Sequence, residues 1–308
     1  MQQSNGEFHE VAESYGLNHS NSGAFVWLDS DGDADMDLLI KDIDTREIKH
    51  YRNQLNGIFS EEILISNSGV ALTQWSLADI DRDGDVDVFM ASIQGNKVLV
   101  NDGVQFHVTG PGVFGLPDAS LSAQFVDFNN DSRVDLHTFP GGLYNQRTNG
   151  TFYRTQHLRN IFPNRSNRVW GLWFDADIDG NVDLMAAHRL NIVPGADSNR
   201  YIANFYRNIG ASNNWLQIDL KGPQGNSSAI GAKVELLQSD PEKQLVQYVG
   251  SSESSRYSQG HYRLYFGLNK MKRVKGLKIY WPNGEVQLHP QLEINQLVKI
   301  EYDPDLLE

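Results

Sequence analysis

The first two thirds of the chain alternate short apolar runs with turns rich in Asp, Asn and Gly. Residues 23–28, 72–77, 123–126 and 169–174 are such runs, and each leads into an Asp-rich segment. Short apolar runs bounded by turn residues predict β-strands, because an amphipathic helix needs a longer run with a 3.6-residue period. The pattern therefore predicts an all-β fold.

The Asp-rich segments recur at a nearly fixed distance. They begin at Asp29, Asp79, Asp127 and Asp175, so the spacings are 50, 48 and 48 residues. An Asn-Gly or Asp-Gly pair, typical of a hairpin turn, precedes each segment by 23 to 26 residues. Each repeat thus has about four short strands, which is typical of a β-propeller blade; a β-solenoid has a similar signature. We expect a propeller with one Asp loop per blade.

Each Asp loop is nine residues long and carries acidic or Asn side chains at positions 1, 3, 5 and 9. Calcium takes about six to eight oxygen ligands from a flexible loop. Side chains at positions 1, 3, 5 and 9, together with the backbone carbonyl at position 7, could converge on one ion, and so many carboxylates repel one another without a cation. We therefore expect about four calcium sites, with these candidate ligands: Asp29, Asp31, Asp33, Asp35, Asp37; Asp79, Asp81, Asp83, Asp85, Asp87; Asp127, Asn129, Asp131, Arg133, Asp135; Asp175, Asp177, Asp179, Asn181 and Asp183.

The loops differ from an EF-hand, which needs a bidentate Glu at position 12 and flanking helices. A tight turn favours Gly at position 6, where Gly84 and Gly180 stand, whereas Ala34 and Ser132 predict strain in the first and third loops. Magnesium is the competing ion, but its strict octahedral geometry suits these loops less well than calcium does. The alternative without metal is four polar turns.

The charge of the chain is concentrated in the loops. They hold 17 of the 39 acidic residues, and the rest of the chain has 22 acidic against 26 basic residues. No basic patch indicates nucleic-acid binding, and the absence of cysteine excludes disulfides and thiolate chemistry. No apolar stretch is long enough for a membrane span, and no signal peptide is visible.

The loops resemble the FG-GAP/VCBS repeats of integrin-α-type propellers, whose Asp-x-Asp-x-Asp-Gly-x-x-Asp loops bind calcium. Residues 213–308 resemble an ASPIC/UnbV domain through 214–216, 229–234, 266–268 and 279–284, as in relatives of cartilage acidic protein. The resemblance implies a calcium-binding propeller over 1–212 and a β-sandwich-like module over 213–308. Relatives usually have more repeats, so the ring would close through the N-terminal strand, the C-terminal module or a second subunit.

Two functions remain open. One is a module that binds a protein, glycan or small-molecule ligand; a homo-oligomer is possible. The other, from family analogy alone, is a non-redox biosynthetic enzyme, a cyclase or isomerase. His137, His188 and Arg189 are the catalytic candidates, with Tyr144 and Arg200 nearby, at the propeller mouth opposite the Asp loops. The resemblance favours a secreted or periplasmic protein, although a cytoplasmic one fits the lack of a leader.

Overall fold

The structure, a computed structural model, describes residues 9–17, 21–33, 35–54, 57–69, 72–139, 142–155, 158, 169–189, 201–210, 212–237, 245–250, 254–255, 258–259 and 262–307. Half of the chain lies in strands, and the described residues form no helix of seven or more residues. Short 3-10 turns occur at Ala12–Tyr15, Pro111–Phe114 and Pro304–Leu306. The predicted all-β fold is confirmed, and no described helix is long and apolar enough to cross a bilayer.

Each repeat forms its own antiparallel sheet, with strands in chain order. Sheet 1 contains β1 (Ser22–Leu28), β2 (Asp37–Asp42), β3 (Ile48–Asn53) and β4 (Phe59–Ile65); sheet 2 contains β5 (Leu72–Ala78), β6 (Asp87–Ser92), β7 (Lys97–Asn101) and β8 (Phe106–Thr109). Sheet 3 contains β9 (Ser122–Val126), β10 (Asp135–Phe139), β11 (Gly142–Gln146) and β12 (Phe152–Arg154); sheet 4 contains β13 (Val169–Phe174), β14 (Asp183–Arg189) and β15 (Tyr201–Tyr206). The predicted turns at 101–103 and 149–150 join the third and fourth strands of sheets 2 and 3.

The sheets stack face to face in chain order, as strand β6 shows. Val88 and Met90 belong to a core shared with sheet 1, whereas Phe89 and Ala91 belong to a core shared with sheet 3. Because side chains alternate between the two faces of a strand, a strand packed on both faces has a continuous apolar run. The four repeats are thus separate four- or three-stranded sheets in series, while closure into a propeller ring stays a prediction.

The C-terminal third has its own core and a further set of strands. They are β16 (Asn214–Lys221), β17 (Lys233–Leu237), β18 (Leu245–Tyr248), β19 (Ser254–Ser255), β20 (Ser258–Gln259), β21 (Leu264–Asn269), β22 (Gly276–Tyr280), β23 (Val286–His289) and β24 (Leu297–Glu301). One sheet has the order β21-β16-β24, with β16 and β24 parallel, another has the order β18-β17-β22-β23, and β19 and β20 form a two-stranded hairpin. Trp281 is fully buried in this core. We call this unit the C-terminal domain.

A small hairpin of the C-terminal domain reaches the repeat sheets. Strand β19 lies against β5 and β9, and β20 lies against β13. These three are the first strands of their sheets, and on two of them the polar residues Gln74, Ser76, Ser122 and Gln124 are buried. The hairpin therefore packs along the edge where a propeller would have its central channel.

Candidate metal centres

The four Asp loops occupy equivalent places. Each connects the first strand of its sheet to the second, and those two strands pair antiparallel in all four sheets. The first strands of the four sheets therefore have the same role, and each Asp loop begins directly after the first strand of its sheet. We refer to them as loop 1 (29–37), loop 2 (79–87), loop 3 (127–135) and loop 4 (175–183).

The Asp at position 1 organises the turn through backbone hydrogen bonds. In loop 2, Asp79 accepts from the N–H groups of Arg82 (2.6 Å) and Gly84 (3.1 Å). Asp127 and Asp175 accept from positions 5 and 6 of their loops in the same way, at 2.7 to 3.2 Å. An Asp side chain that accepts from the backbone a few residues on is a standard turn device. Position 1 therefore has a structural role in addition to any metal ligation.

The Asp at position 5 is a second turn-forming residue in every loop. Its Oδ1 accepts from the N–H of position 7, at 2.8 to 3.0 Å. The four carboxylates are Asp33, Asp83, Asp131 and Asp179. Position 5 thus keeps an acid in all four loops for a reason that needs no ion.

The Asp at position 9 joins the loop to the third strand. In loop 2, Asp87 is fully buried and accepts from the N–H groups of Ile80 (2.6 Å) and Asn101 (2.8 Å). Asp37 and Asp183 make the same pair of bonds, whereas Asp135 accepts only from Gln146, at 2.8 Å, and its Oδ2 has no hydrogen-bond partner among the described residues.

Amide side chains at the end of the third strand connect sheets 2, 3 and 4 to the sheet before them. Asn101 Nδ2 donates to the carbonyl of Ser30 in loop 1 (2.9 Å), and Gln146 Nε2 donates to the carbonyl of Ile80 in loop 2 (2.7 Å). Asn208 Nδ2 repeats the contact to loop 3 at 2.9 Å. The loop pattern did not predict a role for these residues, although each repeat has an Asn or Gln at this place. The backbone N–H of each of these residues donates to the Asp at position 9 of its own loop. The side-chain amide donates to the carbonyl at position 2 of the previous loop.

The backbone at position 6 is left-handed, as predicted. Gly84, Gly180 and Ser132 have φ values of +100°, +90° and +70°, while Ala34 lies outside the described residues. Position 4 is also left-handed in every loop, which the sequence did not reveal. It is Gly32, Arg82, Asn130 and Ile178, and a β-branched residue such as Ile178, with φ of +58°, is strained there.

Carboxylate oxygens converge in three of the four loops. In each of these loops one oxygen from each of three residues lies within 4.8 Å of the others: Asp29, Asp31 and Asp33; Asp79, Asp81 and Asp87; Asp175, Asp177 and Asp183. Calcium–oxygen distances of about 2.3–2.6 Å allow ligand oxygens to be up to about 5 Å apart. All three clusters contain the Asp at position 3, and Asp31 Oδ1 is buried without a hydrogen-bond partner among the described residues. This donor set suits a hard cation.

The predicted ligands of loops 1, 2 and 4 that lie outside these clusters are Asp35, Asp37, Asp83, Asp85, Asp179 and Asn181, and the whole of loop 3 lies outside them too. Loop 3 has Asn129 at position 3 and Arg133 at position 7. The Arg133 guanidinium pairs with Asp131 and donates through Nε to the carbonyl of Gln146 at 2.9 Å. Loop 3 therefore has an internal cation where loop 2 has Asp85.

Burial makes the carboxyl groups at positions 1 and 9 of loops 2 and 3 weak acids, whereas in loop 1 the effect of burial on Asp37 is outweighed by its hydrogen bonds, which lower its pKa. Burial raises the pKa of Asp79 to about 7 and that of Asp87 to about 8. In loop 3 burial raises the pKa of Asp127 to about 7 and that of Asp135 to about 9. Carboxylates with such pKa values are costly to ionise without a nearby positive charge. A bound cation would supply that charge.

The other candidate residues lie away from the loops. His137 in β10 is fully buried, and its Nδ1 accepts from Trp173 Nε1 at 3.1 Å. Burial lowers the pKa of His137 to about 3, so it is neutral near pH 7. His188 is 5% exposed, Tyr144 is half-buried, and the side chains of Arg189 and Arg200 lie outside the described part of the chain. Their catalytic role stays a prediction.

Two protein-family descriptions match parts of the chain. Residues 79–138 match an FG-GAP-like repeat, a span that contains loops 2 and 3. Residues 222–305 match the ASPIC and UnbV family, a span within the C-terminal domain. The predicted pairing of FG-GAP repeats with an ASPIC/UnbV domain is thereby confirmed. No curated protein matches the chain.

Solved structures show only loose likeness. One is described as the structural basis of specific recognition of non-reducing terminal N-acetylglucosamine by an Agrocybe aegerita lectin; it has 16% identity and a TM-score of 0.39, with 93% of this chain and 83% of that chain covered. Another is BBS1N in complex with ARL6DN, with 13% identity, a TM-score of 0.32 and coverage of 91% and 82%. At TM-scores under 0.5, neither likeness bears on the ligand of this chain.

Proposed function

Because the chain carries an FG-GAP-like repeat and an ASPIC/UnbV domain, we propose that it is a calcium-stabilised binding module. The observation that carries this proposal is the convergence of three carboxylates in each of loops 1, 2 and 4. These loops hold the ions, and the bound ions stabilise the joints between strands. The role of the repeats is then to present a rigid surface to a ligand.

The proposal assigns ions to three loops rather than four. Position 3 supplies a carboxylate in loops 1, 2 and 4, whereas in loop 3 it supplies the Asn129 amide. The ion pair between Arg133 and Asp131 already offsets part of the charge of loop 3. Calcium would have to compete with that guanidinium, which belongs to loop 3 itself. The guanidiniums that pair with Asp31 of loop 1 and Asp177 of loop 4, those of Arg52 and Arg207, come from outside their loops.

A binding role fits the described side chains better than the cyclase or isomerase alternative. An acid–base residue must reach the substrate to transfer a proton. His137 and His188 are 0% and 5% exposed, and the imidazole of His137 is held by Trp173. The binding face is proposed to be the sheet ends opposite the loops, since those ends carry the longer connections.

Thermal unfolding tests the proposed function. One saturated site, at about 100 times its Kd, contributes about 2.7 kcal/mol to the free energy of unfolding. We therefore expect calcium to raise the Tm well above its value in excess chelator, and magnesium to raise it less. Identical melting curves in calcium and chelator would show that the loops are ordinary turns.

A further inference from the structure

The C-terminal domain lies directly on the loops. On loop 4, the buried amide of Gln217 donates through Nε2 to Asp175 Oδ2, and the Asp175 N–H donates to Tyr265 Oη at 3.4 Å. On loop 3, the Asn269 N–H donates to the carbonyl of Asn130 at 2.8 Å. Gln217, Tyr265 and Asn269 all belong to the sheet that contains β16 and β21.

Two glycines mark how closely the two units approach. A Cβ added to Gly267 in β21 would lie 1.9 Å from Asp127 Oδ2 and 2.6 Å from Asn130 Cα. A Cβ added to Gly180 in loop 4 would lie 2.0 Å from the ring of Trp215 in β16. Gly267 has ordinary strand geometry, so its backbone conformation permits a side chain, and the three nearest atoms that a Cβ would meet all belong to loop 3. The C-terminal domain therefore packs so closely on loops 3 and 4 that glycine is needed at both points of contact.

Loops 1 and 2 also face this domain. The closest heavy atoms to a Cβ built on Gly231 include the Met36 sulfur of loop 1, at 3.7 Å. A cavity of about 120 Å³ lies between loops 2 and 3 on one side and strands β18 and β21 on the other, and its lining includes Asp79, Arg133 and Tyr248. Direct hydrogen bonds thus concentrate on loops 3 and 4.

The Asp175 carboxylate, at position 1 of loop 4, belongs both to the oxygen cluster and to the contact with the C-terminal domain. It is the acceptor for Gln217. An amide that donates to one oxygen of a ligating carboxylate fixes its orientation, as outer-shell partners of metal ligands generally do. One of the three carboxylates that would hold a cation in loop 4 is therefore oriented by the C-terminal domain.

We propose that the C-terminal domain is an intramolecular ligand of the loop face, which docks on loop 3 and thereby strengthens calcium binding in loop 4. The inference rests on the proposed calcium binding. Linkage is reciprocal, so calcium in loop 4 also strengthens docking. Loop 3, with its own cation, provides a docking surface that needs no ion.

The test uses the full chain with Asp31→Asn and Asp81→Asn, which leaves loop 4 as the expected calcium site. Gly267→Ala in this background forces β21 away from loop 3 without changing a candidate ligand. Gly110→Ala is the matched control, because a Cβ there meets nothing within 4 Å. Gln217→Met is a second variant, which removes the hydrogen bond to Asp175 and adds no bulk near loop 3. Calcium affinity is measured by titration calorimetry, and docking is measured by the Tm in chelator.

We expect Gly267→Ala to lower the Tm in chelator and to weaken calcium binding about tenfold, within the usual range of coupling between sites. Gln217→Met should weaken calcium binding with a smaller change in Tm, and Gly110→Ala should change neither. A lower Tm with unchanged calcium affinity in both test variants would overturn the linkage. The linkage would also be overturned if Gly267→Ala matched Gly110→Ala in both the Tm in chelator and the calcium affinity. If the chain with Asp31→Asn and Asp81→Asn binds no calcium, the proposed function fails, and the linkage fails with it. The Tm in chelator is a separate measure of docking, so a lower Tm for Gly267→Ala would still show that the C-terminal domain docks on loop 3.

Discussion

Loops 2 and 3 are neighbours with the same backbone and different charge. In both, position 1 accepts from two backbone N–H groups, position 5 accepts from position 7, and positions 4 and 6 are left-handed. They differ at positions 3 and 7, which are Asp81 and Asp85 in loop 2 but Asn129 and Arg133 in loop 3. Only loop 2 brings three carboxylate oxygens within 4.8 Å of one another.

The comparison separates two tasks that the same residue type performs. Acids at positions 1, 5 and 9 satisfy backbone N–H groups, which would otherwise be buried without partners. Position 3 can make its turn bond as an amide, since Asn129 Oδ1 accepts from the Asp131 N–H at 3.0 Å, so an acid there adds charge that the turn does not need. The shape of the loop is thus independent of an ion, whereas the demand for an ion depends on position 3.

The largest effect is expected at position 9. Asp87→Ala leaves the N–H groups of Ile80 and Asn101 without acceptors, and each loss costs about 1–3 kcal/mol. We expect the free energy of unfolding in chelator to fall by about 3 kcal/mol, measured by urea denaturation. Asp135→Ala should cost about half as much, because Asp135 accepts from one N–H group only. The control is Asp118→Ala, on an exposed side chain; equal losses for Asp87 and Asp118 would refute the anchoring role.

Exchanging positions 3 and 7 should exchange ion binding. Asn129→Asp with Arg133→Asp gives loop 3 the acids of loop 2, so we expect one additional calcium ion per chain by titration calorimetry. Asp81→Asn with Asp85→Arg should remove one ion from loop 2. The matched control is Arg147→Asp with Asn149→Asp, which makes the same charge change on an exposed turn of sheet 3. A gain of an ion in that control would mean that net charge, rather than the loop, binds calcium.

The pH dependence of stability should reverse between the ion-free and calcium-bound protein. The folded-state pKa values of Asp79 and Asp87, about 7 and about 8, are raised above the unfolded value. The folded protein therefore holds protons that the unfolded chain has released, and its stability falls as pH rises through this range. We expect the Tm in chelator to decrease from pH 6 to pH 9. In calcium the decrease should be smaller or reversed, since the ion binds the ionised carboxylates; a Tm in chelator that rises with pH would contradict this account.

The smallest effect concerns the strained position 4 of loop 4. Ile178 has φ of +58° and is 50% exposed, and Asn tolerates this conformation better than Ile does. Ile178→Asn should raise the free energy of unfolding by about 1 kcal/mol. Ile93→Asn, at a similarly exposed position with ordinary φ, should not stabilise the protein. Equal effects for the two variants would mean that strain at Ile178 is negligible.

The sequence predicted the local features of the repeats. Strand positions followed from short apolar runs, and the left-handed backbone at Gly84 and Gly180 followed from the needs of a tight turn. These features depend on residues near one another in the chain. Each Asp loop is also a short continuous segment, so its pattern of acidic residues could be recognised in all four repeats.

The division of labour within the loops could not be predicted from the sequence. All acids looked like candidate ligands, because the sequence does not show that Asp87 accepts from Asn101 on a different strand. The covering of the loops by the C-terminal domain was also out of reach. Gly267 and Asp127 are 140 residues apart, and a glycine in a strand gives no sign of what approaches it.

The number of calcium ions per chain tests the central claim most directly. The chain would be equilibrated with calcium above saturation, exchanged into a volatile buffer and examined by native mass spectrometry. Our account predicts three ions in the wild-type chain, and two after Asp81→Asn. Binding of no ion would contradict the role of position 3 as the cation-binding residue, and binding of four would contradict the difference between loops 2 and 3.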